Sequence, residues 1–188
     1  MKKEFKTTRN LVITALLAAI AVVLGWTHWG FIPWLGGVSL TIMHVPVIIA
    51  AVIVGPVSGT VVGLVFGIFS MIQAAIAPGG PTDVWFTNPL LAVLPRLFIG
   101  PCAWFVWQAF KRWPAAALAL AGAVGSLTNT FLVLGMIGLL GYLPWAVVGG
   151  VVVTNGLPEM LASAFITLAV VAAYWHIPIG KRKGADLD

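Results

Sequence analysis

Seven strongly polar side chains in the long, mostly apolar segments of the chain have the chemistry to bind a small polar molecule. They are His44, Gln73, Asn88, Arg96, Asn129, Asn155 and Glu159. Amide groups both donate and accept hydrogen bonds, and an arginine can bind a carboxylate or phosphate through two parallel N–H groups. Inside a membrane such groups are costly, and they normally face the interior of a helix bundle or a wet cavity. If the chain is a membrane protein, the set indicates a buried binding chamber.

The composition identifies the chain as an integral membrane protein. Its 188 residues are 61% hydrophobic and 8% charged, with a mean hydropathy of +1.07, which leaves too little polar surface for a soluble domain. The single cysteine, Cys102, excludes both an internal disulfide and a thiolate metal site. His28 and His176 fall at opposite membrane ends, far from His44, so we predict no metal and no cofactor.

Hydropathy divides the chain into six predicted transmembrane helices, because about 20 apolar residues are needed to cross the hydrocarbon core. The helices fall near 10–27, 38–54, 57–77, 89–110, 115–141 and 146–175, with basic tails at 1–9 and 180–188. The apolar runs are continuous and do not alternate with polar residues as barrel strands would. The predicted fold is therefore an all-α integral membrane protein with a single six-helix domain.

Three basic clusters determine the orientation, since Lys and Arg are retained on the cytoplasmic side. They lie in the N-terminal tail, at Lys111–Arg112 and at Lys181–Lys183, and six crossings place all three on one side. We expect both termini to be cytoplasmic and the protein to reside in the plasma membrane as a multi-pass protein. Because topology explains these charges, they do not indicate a nucleic-acid partner.

This topology brings the polar residues into one half of the bilayer. Helices that run inward carry His44, Asn88, Arg96, Asn155 and Glu159, and helices that run outward carry Gln73 and Asn129. The external loops add Trp34 and Trp85, whose rings could cover the chamber and stack on a flat or apolar ligand. An alternative is that Arg96 and Glu159 form a buried ion pair that fixes the fourth helix against the sixth, with the amides as interhelical hydrogen bonds.

Several short motifs occur in a characteristic order along the chain. They are Ala15-x-x-x-Ala19, the run Thr41–Ala50, Gly55-Pro56-Val57-Ser58-Gly59, Phe66-Gly67, Asn88-Pro89, Pro95-Arg96, Asn129-Thr130 and Asn155-Gly156-Leu157-Pro158-Glu159. Together they resemble the substrate-binding S component of an energy-coupling factor (ECF) vitamin transporter, in the group that includes pantothenate, folate, pyridoxine and hydroxymethylpyrimidine binders. The resemblance covers nearly the whole chain. In the third helix, Gly55, Gly59, Gly63 and Gly67 also predict close helix packing.

The resemblance implies a capture subunit that binds a vitamin with high affinity from outside the cell. It would associate through Ala15 and Ala19 with a membrane T subunit, and through that subunit with two cytoplasmic ATPase subunits, and it would topple in the membrane to release its cargo. The seven polar residues, with Trp34 and Trp85, would form the chamber. The chain itself has no Walker-type nucleotide-binding loop, so ATP use would belong to a partner.

The chemistry of the chamber favours pantothenate, which has one carboxylate, two hydroxyls and an amide to match one arginine and several amide side chains. A pyridoxine- or pyrimidine-type ring would instead use the tryptophans and the Asn and Gln side chains. Two other classes remain open from the sequence. An autonomous secondary carrier or channel would work without an ATPase partner, and an intramembrane enzyme would use His44 and Glu159 as an acid–base pair. The resemblance favours a transport subunit over an enzyme.

Overall fold

A computed structural model describes residues 8–27, 29–33, 39–78, 80 and 82–177 of the chain. Its helices are α1 (Thr8–Trp26), α2 (Val45–Ile53), α3 (Pro56–Ile76), α4 (Pro89–Ala92), α5 (Leu94–Phe110), α6 (Pro114–Leu139), α7 (Trp145–Val151) and α8 (Leu157–Trp175). Strands β1 (Phe31–Pro33) and β2 (Ser39–Thr41) pair antiparallel. A 3-10 turn, Asp83–Thr87, precedes α4, and a π-helical segment, Val152–Gly156, joins α7 to α8. The tail predicted at 180–188 lies outside these residues.

Five helical segments of the described chain are long and apolar enough to cross a membrane. They are α1, α3, the segment Pro89–Phe110 formed by α4 and α5, α6, and the segment Trp145–Trp175 formed by α7, the π-helical segment and α8. Each coincides, to within two residues at either end, with one of the predicted spans. The helical membrane class predicted from composition and hydropathy is confirmed.

The second predicted helix, 38–54, is only partly helical. Residues Ser39–Thr41 form β2, and α2 begins at Val45 with Pro46 in its first turn, where a missing N–H costs nothing. Nine helical residues extend about 14 Å, roughly half of the hydrocarbon core. Every residue from Met43 to Val52 is buried, so the non-helical backbone that leads into α2 enters the protein interior, where it is tolerated at membrane depth.

Close packing of α3 against α5 confirms the prediction from the glycine spacing. A Cβ atom built on Gly59 would lie 2.9 Å from Gly100 Cα, and one built on Gly100 would lie 2.7 Å from the Gly59 carbonyl carbon. A Cβ on Gly63 would collide with the Arg96 carbonyl oxygen, and one on Gly67 would lie 2.8 Å from the Ala92 oxygen. The glycines therefore let the backbone of α3 touch those of α4 and α5, and they set the position of Arg96 against α3.

Candidate functional site

Arg96 is held in the first turn of α5 with its charge inside the protein. The residue is 5% exposed, and its Nη1 donates a 2.5 Å hydrogen bond to the Leu91 carbonyl. Its guanidinium carbon lies over two aromatic rings, 5.3 Å from the centroid of Phe66 and 5.0 Å from that of Phe86. Arg96 Nε finds no hydrogen-bond partner among the described residues. A donor of a buried cation is thus unused.

Glu159 has a partner other than Arg96. Its Oε1 accepts a 2.7 Å hydrogen bond from the backbone N–H of Thr41, at the end of β2. Arg96 has the Leu91 carbonyl and the two rings as neighbours, Glu159 has the Thr41 amide, and no ion pair joins the two residues within the described chain. The carboxylate instead satisfies a main-chain donor where the backbone is not helical.

Asn129 and Asn155 are the buried amides whose side-chain oxygens are unused. Asn129 is 8% exposed and Asn155 is 6% exposed, and neither Oδ1 atom has a hydrogen-bond partner among the described residues. Their two elements meet next to them, where Thr130 Cγ2 lies 3.1 Å from the position of a Cβ on Gly156. Asn155 belongs to the π-helical segment, a local widening that is frequent at functional sites.

The other three polar residues have partners that join one element to the next. His44 Nε2 lies 2.8 Å from Ser163 Oγ of α8, and Gln73 Nε2 donates to the Gly25 carbonyl of α1 at 3.1 Å. Asn88 caps α4, since its Oδ1 accepts a 3.0 Å hydrogen bond from Leu90 N. These bonds give each residue a structural role beside any contact with a ligand.

The aromatic residues near the site differ in how they are held. Trp85, in the 3-10 turn, stacks on Tyr142 with ring centroids 5.2 Å apart and planes 2° from parallel. Trp34, the other predicted cover residue, lies outside the described residues. Sequence reasoning missed Phe66 and Phe86 as neighbours of Arg96. Their contacts join α3, the 3-10 turn and α5, and no local spacing marks such a contact.

Comparison with known proteins gives the family. A family model described as "ECF transporter, substrate-specific component" matches residues 9–171 of the chain. The chain belongs to this family. The resemblance found in the sequence motifs is confirmed.

Two relatives of this S component are similar over nearly their whole length. The pantothenic acid transporter PanT of Lactococcus lactis subsp. cremoris (strain MG1363) is 30% identical over 190 aligned residues, which cover 91% of this chain and 95% of the relative. The pantothenate transporter PanT of Leuconostoc mesenteroides subsp. mesenteroides is 27% identical over 205 aligned residues, which cover 94% of this chain and 96% of that relative.

Membership of the family assigns the protein to a class. It is a multi-pass plasma-membrane transport subunit and not an enzyme. S components take a vitamin substrate and work with membrane partner components.

In this S component, Ala15 and Ala19 are exposed on α1, whereas Leu17 and Ala21 are buried against the bundle. The two alanines therefore lie on the surface that α1 presents outward.

Proposed function

We propose that this S component captures pantothenate from outside the cell for an ATP-driven ECF importer. The observation that carries the proposal concerns three of the buried side-chain atoms that have no hydrogen-bond partner in the described chain: a cationic donor, Arg96 Nε, and two amide acceptors, the Oδ1 atoms of Asn129 and Asn155. Pantothenate offers a carboxylate for the donor and hydroxyl and amide N–H groups for the acceptors. The names of the two relatives, both pantothenate transporters, also support pantothenate.

Energetics support a ligand for these atoms. A buried donor or acceptor without a partner costs about 1–3 kcal/mol, and more when the group is charged. A substrate that supplied the missing partners would recover that free energy on binding. We assign Arg96 to the carboxylate and Asn129 and Asn155 to the hydroxyl and amide groups. Trp85 would cover the chamber, and the surrounding elements would be held by Glu159, His44, Gln73 and Asn88.

The orientation and the partners complete the proposal. We place both termini in the cytoplasm, with the chamber facing outward, and we assign the exposed surface at Ala15 and Ala19 to a membrane T subunit that works with two ATPase subunits. Toppling of the S component would then carry the ligand inward.

The orientation can be tested by impermeant thiol labelling of Thr82→Cys and Arg112→Cys in a Cys102→Ser background. We expect reaction from outside intact cells at 82 and only after permeabilisation at 112.

Calorimetry on the purified subunit tests the substrate. We expect one tight site for pantothenate and much weaker binding of pantothenol, in which a hydroxymethyl group replaces the carboxylate. Arg96→Ala should abolish the preference for the carboxylate, and Arg96→Lys should restore only part of it, because lysine cannot form two parallel hydrogen bonds. Equal affinity of the wild-type protein for both compounds would refute the role of Arg96, and no binding of either would refute pantothenate as the substrate.

A further inference from the structure

We infer that Phe66 and Phe86 form an aromatic pair that holds the Arg96 guanidinium ready for the carboxylate of the substrate. The inference rests on the proposed function and adds two positioning residues to it. Neither ring needs to touch the ligand for this role. The two act through Arg96, by holding its charge in place without using its donors.

The geometry puts both rings within reach of the cation. The Arg96 guanidinium carbon lies 5.3 Å from the Phe66 centroid and 5.0 Å from the Phe86 centroid, inside the roughly 6 Å over which a ring face attracts a cation. Phe66 is 4% exposed and Arg96 is 5% exposed, so water competes little with this attraction. The rings come from two different elements, α3 and the 3-10 turn.

Aromatic partners differ from a carboxylate partner in what they leave available on the arginine. A buried carboxylate would neutralise the charge and occupy two N–H groups. An aromatic face also attracts the cation, but it accepts no strong hydrogen bond and leaves the N–H groups available. Within the described chain Arg96 contacts the two rings and one carbonyl, while Nε stays unused. The aromatic pair therefore holds a cation that can still bind an anion.

Both rings are themselves fixed by neighbouring structure. Phe66 lies one helical turn after Gly63, whose backbone contacts the Arg96 carbonyl, so α3 positions the ring and the backbone of Arg96 together. Phe86 follows Trp85, which stacks on Tyr142, and it precedes the cap of α4 by two residues. A guanidinium held this way loses little freedom when the ligand binds, and such preorganisation raises affinity.

The test separates a ring face from mere bulk. Phe86→Leu and Phe66→Leu remove the face, Phe86→Tyr keeps it, and Phe98→Leu, at an exposed site on α5, is the matched control. We expect each of the first two to weaken pantothenate binding about tenfold and to leave pantothenol binding unchanged. Phe86→Tyr and the control should bind both compounds as the wild-type protein does. Equal losses for both compounds, or no loss for pantothenate, would overturn the aromatic pair.

A second readout does not depend on the ligand. In protein labelled with ¹⁵N-arginine, the Arg96 Nε–H proton should show a ring-current shift that Phe86→Leu reduces, because only Phe66 then remains, and that Phe86→Tyr retains. The resonance is assigned by its loss in Arg96→Lys. An unshifted resonance in the wild-type protein would overturn the aromatic pair even if pantothenate binds. A shifted resonance in a protein that does not bind pantothenate would instead refute the proposed substrate and, with it, the role of the pair in holding that carboxylate.

Discussion

The backbone N–H of Thr41 donates a 2.7 Å hydrogen bond to Glu159 Oε1, joining β2 to α8 across 118 positions of sequence. One helical turn further along α8, Ser163 Oγ lies 2.8 Å from His44 Nε2. The two contacts fasten the non-helical entrance of α2 to the last span. Because α8 follows directly from the π-helical segment that carries Asn155, they also fix that segment relative to β2.

Replacing Glu159 should destabilise the protein by removing the acceptor of the Thr41 amide. We expect Glu159→Ala to lower the free energy of unfolding by about 1–3 kcal/mol, the cost of a buried donor without a partner. Glu159→Gln keeps an acceptor oxygen at the same place and should lose less. Thermal unfolding of the purified protein without ligand measures both. Equal stability of Glu159→Ala and the wild-type protein would show that the Thr41 bond does not contribute.

Removing the hydroxyl of Ser163 should have a similar effect, through His44. His44 is fully buried, so Ser163→Ala leaves its Nε2 atom without this partner, and we expect a loss of about 1–3 kcal/mol. Ser126→Ala is a matched control, because Ser126 is also fully buried but its Oγ has no hydrogen-bond partner in the described chain. Denaturant titration should find the control at or above wild-type stability. If Ser163→Ala and Ser126→Ala are equally stable, the contact between His44 and Ser163 makes no net contribution to the free energy of unfolding.

The spans could be predicted from the sequence because hydropathy and length alone determine which segments suit a bilayer. The β1–β2 ribbon could not, since Ser39–Thr41 directly precedes the apolar residues that lead into α2, and its pairing with Phe31–Pro33 is a contact between segments. Asn88 has a local sequence signal for its role. Asn before Pro is typical of the start of a helix, and the structure gives Asn88 that capping role.

The candidate site was less predictable than the fold. Polarity and depth selected Arg96, Asn129 and Asn155, but they do not tell whether a side chain has a partner within the protein. Gln73 and His44 have such partners on α1 and α8, elements far away in sequence. The two aromatic partners of Arg96 could not be predicted from the sequence either, because they come over the guanidinium only when three separate segments pack together.

Bulky residues at Ala15 and Ala19 should block transport without affecting ligand binding. Both alanines are exposed on α1, away from its buried face, so Ala15→Trp and Ala19→Trp leave the bundle intact while changing the surface proposed to contact the T subunit. We expect calorimetric affinity for pantothenate within about twofold of wild type and loss of uptake in cells that contain the complete importer. Leu161→Trp, at a site on α8 that is 65% exposed, is the control for bulk at the lipid-facing surface. Loss of affinity in the alanine variants would mean that α1 shapes the chamber.

A single methyl group at Gly63 should weaken both folding and binding, because it would separate α3 from α5 at the residue that carries the guanidinium. A Cβ there meets the Arg96 carbonyl oxygen and carbon, which are backbone atoms that cannot move alone. We expect Gly63→Ala to cost about 1–3 kcal/mol of stability and to weaken pantothenate binding more than pantothenol binding, because Arg96 shifts relative to Phe66.

Gly135→Ala is the matched control for this prediction. Nothing lies within 4 Å of a Cβ at Gly135, and alanine favours a helix by up to about 1 kcal/mol over glycine, so this variant should be as stable as the wild-type protein or more so. Thermal unfolding of the two variants measures the effect on packing, and calorimetry measures the effect on the geometry of the site. If Gly63→Ala loses stability but keeps the preference for pantothenate over pantothenol, the α3–α5 contact supports the fold without positioning Arg96.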